Sequence, residues 1–333
     1  MGGGGRGSSS SSSSSSLPGR RQASGSLAAG PTAPGAMDRL GVTETFAGIS
    51  LPGHLHTQES LQRASAFAFR PSDVLLVTYP KSGTTWMQEI LTLIYSSGDP
   101  EPVKTVPNWA RVPWLEHIYF EKVFQKKEGP RLITTHLPQQ VLGTALRKAK
   151  PKVIYVARNP KDVAVSYYHF CRMAKFFPDP GSFDEFLHQF LDGTVHYGSW
   201  FEHVKGWLGC KDELRIFYIT YEELHQDLEA SVERLATFLG CPFHGDLADS
   251  IREHCSFASM SENTMVNGSL ISQEIMDRSK SQFMRKASAA RPLESGREAQ
   301  TERGDRETGG GRRGKVEMKC FLTLHREDKQ RIC

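Results

Sequence analysis

The 333-residue sequence has few cysteines, and none is spaced for redox exchange or metal binding. The six are Cys171, Cys210, Cys241, Cys255, Cys320 and Cys333, without a Cys-x-x-Cys pair. A secretory signal and an apolar run of about 20 residues, which a membrane-spanning helix needs, are also missing. These absences argue against a secreted disulfide scaffold and a membrane protein, and predict a cytoplasmic location. No local His, Cys and carboxylate cluster is present either, so we expect no metal.

The chain also lacks an excess of positive charge over its main part. The net charge is +4, but residues 1–36 hold three basic and no acidic residues, and residues 285–333 hold thirteen basic and eight acidic ones. The remainder, 37–284, has 25 basic and 29 acidic residues, a net charge of −4. We therefore expect no nucleic-acid partner and no membrane surface as partner, and any anion site must be local.

Composition divides the chain into three parts. Residues 1–36 are rich in Gly, Ser, Ala and Pro and bury too little apolar surface to offset the entropy of ordering, which predicts a disordered, low-complexity segment. Residues 37–286 have ordinary composition and are predicted to form one domain. Residues 287–333 are rich in Gly, Arg and Glu, and we expect a largely disordered basic tail.

Apolar runs alternate with amphipathic segments along the predicted domain. Strands are predicted at 74–79, 131–134, 152–156 and 214–220. Helices are predicted at 84–95, through Ser166 to Phe170, and at 228–239, where Gly240 supplies a C-cap. This alternation predicts an α/β fold, a single domain with a central parallel sheet flanked by helices.

The loop between the first of these strands and its helix has the chemistry of an anion site. It reads Thr-Tyr-Pro-Lys-Ser-Gly-Thr-Thr-Trp over residues 78–86. A helix N-terminus presents free backbone N–H groups and the positive end of the helix dipole, and Lys81 and three hydroxyls add further donors. The Walker A spacing is absent, which disfavours a nucleotide triphosphatase or a small-molecule kinase.

Two strings in this order resemble the cytosolic sulfotransferases. Residues 79–86 resemble the family's P-loop-like 5'-phosphosulfate-binding loop, and Arg-Asn-Pro-Lys-Asp-Val-Ala-Val-Ser-Tyr-Tyr at 158–168 resembles its 3'-phosphate segment. Similar strings follow at 197–201, 221–224, 255–257 and 283–286, so the resemblance spans about Phe46 to Lys286. It implies the sulfotransferase fold over 37–286, with 3'-phosphoadenylyl sulfate as co-substrate.

The resemblance assigns cofactor-binding roles by position. The 5' side and the adenine would be held by Lys81, Ser82, Gly83, Thr84, Thr85 and Trp86. The 3'-phosphate would be bound by Arg158 and Ser166, and a Lys81 ammonium would also neutralise charge on the leaving phosphate. Further nucleotide contacts are implied for Tyr221, Ser256, Phe257, Phe283, Met284, Arg285 and Lys286.

His136 is the predicted general base. It follows a strand end, where side chains of open α/β sheets gather at the active site. One histidine among twelve is usually structural, but the string Thr-His-Leu-Pro matches the family's catalytic-base segment. A neutral imidazole can take the proton of an acceptor hydroxyl at neutral pH.

The acceptor side resembles the hydroxysteroid branch of the family. The string Val-Pro-Asn-Trp-Ala-Arg-Val-Pro-Trp at 106–114, and Thr134 where many members have lysine, are similar to that branch. We predict that Trp109, Trp114 and Phe170 line an apolar acceptor pocket, the alternative being that they are core residues. A steroid or other lipophilic alcohol is the first expected acceptor, and a simple phenol the second.

The C-terminal end departs from the family pattern. An Arg-Lys-Gly string that wraps the 3'-phosphate reads Arg285-Lys286-Ala287 here, and the dimer motif and final helix expected after it are not found. We therefore expect a monomer and a weakened hold on the nucleotide. The leading hypothesis is an active sulfotransferase for a small hydroxyl-bearing acceptor. The alternative is a catalytically impaired isoform that keeps the fold and nucleotide binding and acts as a binding or regulatory protein.

Overall fold

The computed structural model describes residues 1–2, 37–124 and 129–285. Most of the predicted low-complexity segment 1–36 and all of the tail 287–333 therefore lie outside the described residues. So does Lys286.

A four-stranded parallel sheet forms the centre of the described fold. Its strands are β3 (Val74–Thr78), β4 (Leu132–Thr135), β5 (Lys152–Ala157) and β6 (Arg215–Thr220), in the order β4-β3-β5-β6. All neighbours are parallel, with Val74 opposite both Leu132 and Lys152. The four predicted strands are confirmed, each with bounds shifted by at most one residue.

Alternate side chains of these strands enter two separate cores, one on each face of the sheet. Leu75 and Val77 of β3 belong to one hydrophobic cluster, while Val74 and Leu76 belong to the other. Every residue of β3 is buried, as expected for a strand covered on both sides. The predicted α/β architecture is confirmed.

Helices cover both faces of the sheet. On one face, the helices Gln139–Ala149 and Trp200–Leu208 contribute Leu146 and Trp207 to the core. On the other, the helices Thr84–Tyr95 and Leu228–Leu239 contribute Ile90 and Leu235. The thirteen helices among the described residues are α1 Gln58–Ser65, α2 Thr84–Tyr95, α3 Glu101–Thr105, α4 Asn108–Arg111, α5 Phe120–Val123, α6 Gln139–Ala149, α7 Pro160–Met173, α8 Phe183–Asp192, α9 Trp200–Leu208, α10 Tyr221–Gln226, α11 Leu228–Leu239, α12 Gly245–His254 and α13 Phe257–Glu262.

Two predicted helices have the predicted bounds. Helix α2 covers 84–95, and α11 covers 228–239 and ends at Gly240, whose φ of 72° is the left-handed value typical of a glycine C-cap. A hairpin of β1 (Thr43–Phe46) and β2 (Ile49–Pro52), together with several short helices, was not predicted. No helix in the described ranges is both long and apolar enough to cross a membrane.

The two ends of the parallel strands differ in the side chains that they carry. At the amino ends of β3 and β4, Arg131 donates to both carboxylate oxygens of buried Asp73, over 2.7 and 2.5 Å. At the carboxyl ends, the loop after β3 and the chain after β4 and β5 carry Lys81, His136 and Arg158. Parallel strands bring these three residues to one edge, as open α/β sheets do at their binding sites.

Candidate functional site

The loop 79–83 leads into the N-terminus of α2 and contains two residues with a positive φ. Lys81 has a φ of 70° and Gly83 a φ of 105°, both in the left-handed region. A Cβ at Gly83 would lie 2.9 Å from the Tyr221 ring, so only glycine fits this position. The hydroxyls of Thr78 and Thr84, 2.6 Å apart, tie the strand end to the first helical turn.

Lys81 is half-buried, with its ammonium group close to two aromatic rings. Its Nζ lies 4.3 Å from the ring centre of Phe170 and 4.8 Å from that of Phe283. Burial, followed by repulsion from Arg158, lowers the pKa of Lys81 to about 8. The protonated form of Lys81 is therefore destabilised, and a bound anion would stabilise it again.

Arg158 locks the loop and stacks on an aromatic ring. Its Nη1 donates to the backbone oxygen of Lys81 over 2.9 Å, and its guanidinium carbon lies 4.3 Å from the ring centre of Tyr221. Trp86 also packs against Tyr221, with ring centres 5.2 Å apart. Arg158, Tyr221 and Trp86 thus come from separate parts of the chain and contact one another in one cluster.

Several buried donors around this loop have no partner within the protein. They are the hydroxyl of Ser82, the indole N–H of Trp86 and the Nε of Arg158. Buried polar groups in folded proteins are almost always hydrogen-bonded, so unsatisfied donors beside a cavity indicate where an acceptor belongs. Together with the Lys81 cation, they fit an anionic nucleotide.

His136 lies next to this loop with its tautomer fixed. Its Nδ1 is 2.8 Å from the carbonyl oxygen of Thr78, which can only accept, so Nδ1 carries the proton. The Nε2 lone pair accepts the indole N–H of Trp114 over 2.9 Å. Burial lowers the pKa of His136 to about 4, so the imidazole is neutral at pH 7.

Three neighbours hold the His136 backbone and ring. Its N–H donates to Oε1 of Glu116 over 2.8 Å, and its carbonyl oxygen lies 3.2 Å from Nε2 of His203. The ring of Tyr197 packs edge-on against the imidazole at 5.5 Å. His136 is therefore restrained at its ring, its backbone N–H and its backbone carbonyl.

One cavity of about 780 Å³ joins these groups. Its lining contains every predicted site residue except Ser82 and Lys286: Lys81, Gly83, Thr84, Thr85, Trp86, Trp109, Trp114, His136, Arg158, Ser166, Phe170, Tyr221, Ser256, Phe257, Phe283, Met284 and Arg285. The Ser82 side chain is fully buried behind the loop. Lys286 lies outside the described residues.

The three predicted pocket aromatics occupy different places. Trp114 donates to His136, and Trp109 belongs to a small hydrophobic cluster with Tyr119 and Val123. Phe170 packs on Lys81 and so lies near the anion end of the cavity.

Sequence reasoning missed several lining residues, among them His54, His117, Tyr119, Phe176, Phe177 and Tyr197. Of these, Tyr197 begins one of the strings that carried the resemblance, and its φ of 67° turns the chain toward His136. The others come from loops without a regular spacing and gave no comparable signal.

Comparison with known proteins places these features in a family. Residues 71–291 match the sulfotransferase domain model. Sulfotransferase 2B1 of Homo sapiens is 44% identical over 242 residues, which cover 72% of this chain and 66% of that protein's length. Sulfotransferase 1A1 of Rattus norvegicus is 43% identical over 255 residues, covering 74% of this chain and 87% of the relative.

A solved structure gives the same result at the level of the fold. The crystal structure of mouse sulfotransferase SULT7A1 complexed with PAP superimposes with a TM-score of 0.57 and 31% identity, covering 67% of this chain and 78% of that chain. The α/β fold predicted from the alternating strands and helices therefore has a counterpart among solved structures.

Proposed function

This chain belongs to the sulfotransferase family, and we propose that it transfers a sulfuryl group from 3'-phosphoadenylyl sulfate to a hydroxyl of a small lipophilic acceptor, with His136 as general base. The observation that carries this proposal is the fixed tautomer of His136, which places its lone pair on Nε2, in a residue that lines the same cavity as Lys81 and Arg158.

The nucleotide end is assigned from unsatisfied donors and positive charge. Lys81, Gly83, Thr84, Thr85 and the backbone N–H groups at the start of α2 would hold the 5' phosphosulfate, with the buried Ser82 hydroxyl behind them. Arg158 and Ser166 would bind the 3'-phosphate, aided by Arg285 and, beyond the described residues, Lys286. The adenine would lie among Trp86, Tyr221, Ser256, Phe257, Phe283 and Met284. Of these, Phe257 is 44% exposed, unusual for a large apolar side chain.

The proton path follows from the His136 tautomer. When bound, the donor supplies an electrophilic sulfur and a phosphate leaving group. The acceptor oxygen forms a bond to sulfur as the sulfur–oxygen bond to the phosphate breaks, and the hydroxyl proton passes to Nε2 of His136. Lys81 neutralises charge that develops on the leaving phosphate. Thr78 accepts from Nδ1 and keeps the ring oriented for this transfer.

The acceptor end is apolar and bounded by aromatic rings. Trp109 and Tyr119 belong to one aromatic cluster, and Phe176 packs against His54 in a stacked pair at 5.6 Å. Apolar pockets with one convergent polar group suit a flat lipophilic molecule with one hydroxyl. We propose a steroid or other lipophilic alcohol as the first acceptor class and a phenol as the second.

The deciding experiment separates nucleotide binding from transfer. Calorimetry would measure binding of 3'-phosphoadenosine 5'-phosphate to the full chain and to His136→Ala, followed by sulfate transfer to a panel of hydroxysteroids and phenols. We expect equal binding and a loss of transfer of about 10²-fold or more in the variant, the usual contribution of a general base. His188→Ala, on the exposed face of α8, is the control and should transfer normally.

Two outcomes would contradict the proposal in different ways. Transfer that survives in His136→Ala would remove the assigned base. Nucleotide binding without transfer by the unmodified chain would favour the catalytically impaired isoform, and no nucleotide binding by either protein would mean a disabled site and a non-enzymatic isoform. The monomeric state, the cytoplasmic location and the absence of nucleic-acid and membrane partners stay predictions.

A further inference from the structure

Three buried side chains meet beside the acceptor end of the cavity: His56, Glu116 and His117. His56 and Glu116 are completely buried and His117 is 5% exposed. One possible ligand atom from each lies within 4.8 Å of the other two. We propose that this His-Glu-His cluster is a binding site for a divalent transition metal, with Zn²⁺ as its ion.

Each member of the cluster has one buried polar atom without a hydrogen-bond partner. These atoms are Nε2 of His56, Oε2 of Glu116 and Nε2 of His117. A buried polar atom left without a partner has lost its hydrogen bond to water and gained none in return. Three such atoms in neighbouring side chains are far better explained by one shared ligand than by three separate defects.

The remaining polar atoms of the cluster are tied down as metal ligands require. Nδ1 of His56 lies 2.9 Å from the carbonyl oxygen of Pro52 and must donate to it, so the lone pair is on Nε2. Nδ1 of His117 lies 2.5 Å from the Tyr119 hydroxyl oxygen, which can accept its proton and so leave the lone pair on Nε2. Oε1 of Glu116 accepts the N–H of His136. Such outer contacts orient ligating histidines and carboxylates in known metal sites.

The charge balance of the cluster also points to a cation. Glu116 is buried, and no Lys or Arg among the described residues forms an ion pair with it. A divalent ion would compensate the carboxylate charge and accept both neutral imidazole lone pairs.

The donor set favours zinc over harder cations. Two imidazole nitrogens and one carboxylate oxygen form a known zinc set, whereas Mg²⁺ and Ca²⁺ prefer oxygen alone. Zinc bonds of about 2.0–2.2 Å place neighbouring ligand atoms about 3.3 Å apart. To bind one ion, the ligand atoms therefore have to move together by less than about 2 Å. His56, Glu116 and His117 all lie outside the helices and strands.

A metal here would link two parts of the cavity wall. His56 follows β2, while Glu116 and His117 belong to the segment that positions Trp114 and the His136 backbone. The ring of His117 stacks on Trp114, with centres 5.4 Å apart and planes 9° from parallel. The ion would thus hold the acceptor wall and takes no part in sulfuryl transfer.

The test is titration of the metal-stripped full chain with Zn²⁺ against a chromophoric chelator. We expect one equivalent bound by the unmodified protein. Glu116→Gln keeps the acceptor for the His136 N–H but removes the charge, and His117→Phe keeps the stacked ring but removes both nitrogens. Each should weaken Zn²⁺ binding by more than about 100-fold, beyond the loss typical of an outer-shell change. His188→Phe, the same substitution on the exposed face of α8, should bind Zn²⁺ normally.

A second measurement needs no variant. Co²⁺ added to the unmodified protein should give the intense visible bands of a four-coordinate nitrogen and oxygen site, without the ultraviolet band of a cobalt thiolate. The proposal is overturned if no equivalent of Zn²⁺ binds, if binding survives in Glu116→Gln and His117→Phe, or if Co²⁺ reports a cysteine ligand. The orphaned atoms would then surround an ordered water. Because the readout is metal binding, the result is independent of sulfuryl transfer.

Discussion

At the scale of single residues, the Nε2 lone pair of His136 accepts a hydrogen bond from Trp114 and, in the proposed reaction, also accepts the proton of the substrate. Nδ1 is committed to the Thr78 carbonyl oxygen, so an acceptor hydroxyl can donate only to Nε2, which already accepts from the Trp114 indole. The indole N–H and the substrate hydroxyl therefore compete for one acceptor. In the proposed reaction, the Trp114 indole has to leave Nε2 before His136 can accept a proton.

Trp114→Phe tests this competition, because it keeps an aromatic wall and removes the N–H. A neutral hydrogen bond contributes about 0.5–1.5 kcal/mol, so we expect kcat/KM for a small acceptor to rise by roughly 2- to 10-fold with nucleotide affinity unchanged. Trp109→Phe, which changes another indole of the same cavity without a hydrogen bond to His136, is the control. A fall in kcat at constant KM would instead mean that the indole positions the base during the reaction.

Lys81 makes nucleotide affinity depend on pH. Its free pKa is lowered to about 8 by burial and by Arg158, and an anion beside it would raise that pKa again. Raising the pH from 7 to 9 deprotonates the free lysine, so Kd for 3'-phosphoadenosine 5'-phosphate should increase by roughly tenfold. Calorimetry at both pH values measures this. In Lys81→Arg, whose side chain stays charged, the increase should disappear; its persistence would assign the effect to another group.

At the scale of elements, a short strand-like contact places Trp114 against the base. The N–H of Thr134 donates to the carbonyl oxygen of Pro113 over 2.8 Å, and that of Leu115 donates to the Thr134 oxygen over 2.9 Å. The Thr134 hydroxyl donates to Val112 and accepts from Gln88. Thr134 therefore joins the 112–115 segment to β4.

The opposite ends of the same strands depend on the Asp73–Arg131 pair. Breaking a buried ion pair by removing one partner costs about 3–5 kcal/mol, because the other charge stays buried. We expect Asp73→Ala to lower the free energy of unfolding by that amount in urea titrations. The exposed pair of Arg147 and Glu213 is the control, and Arg147→Ala should change stability by less than about 1 kcal/mol. Equal losses in the two variants would contradict the buried-pair argument.

At the scale of the whole molecule, five buried histidines make the stability of the fold depend on pH. Burial lowers the pKa of His56 and His203 to about 3, that of His136 and His196 to about 4, and that of His117 well below its usual value. They stay neutral in the folded chain but become protonated below pH 6.5 in the unfolded one. Their contribution to stability is therefore present above pH 6.5 and is lost as the pH falls toward 4.

Glu116 and Glu89, whose pKa values are raised by burial, act in the opposite direction. Because the histidines outnumber these two carboxyl groups, the unfolded chain should bind more protons than the folded chain near pH 5, and the free energy of unfolding should have a positive slope against pH between 5 and 7. Urea unfolding between pH 7 and 5, with a chelator present, measures this slope. His196→Phe removes one titrating group and should reduce the slope by about 1.4 kcal/mol per pH unit. A pH-independent stability would show that these histidines are protonated in the folded state.

The sequence predicted those parts of the fold and site that depend on local pattern. Four strands, the bounds of α2 and α11, and the loop with Lys81 and Gly83 follow from apolar runs, capping residues and contiguous motifs. The neutral state of His136 was also expected, although not the depth of its pKa change, because burial by distant segments cannot be read from neighbouring residues.

Contacts between distant segments were decided by the tertiary structure alone. The Trp114 indole meets His136 because the 112–115 segment pairs with β4, and His56 meets Glu116 and His117 across some 60 residues of chain. The sequence by itself thus determined the family, the parallel sheet and the anion loop, since each is carried by consecutive residues. The occupied lone pair of the base and the His-Glu-His cluster required folding, since only packing brings their members together and removes water from them.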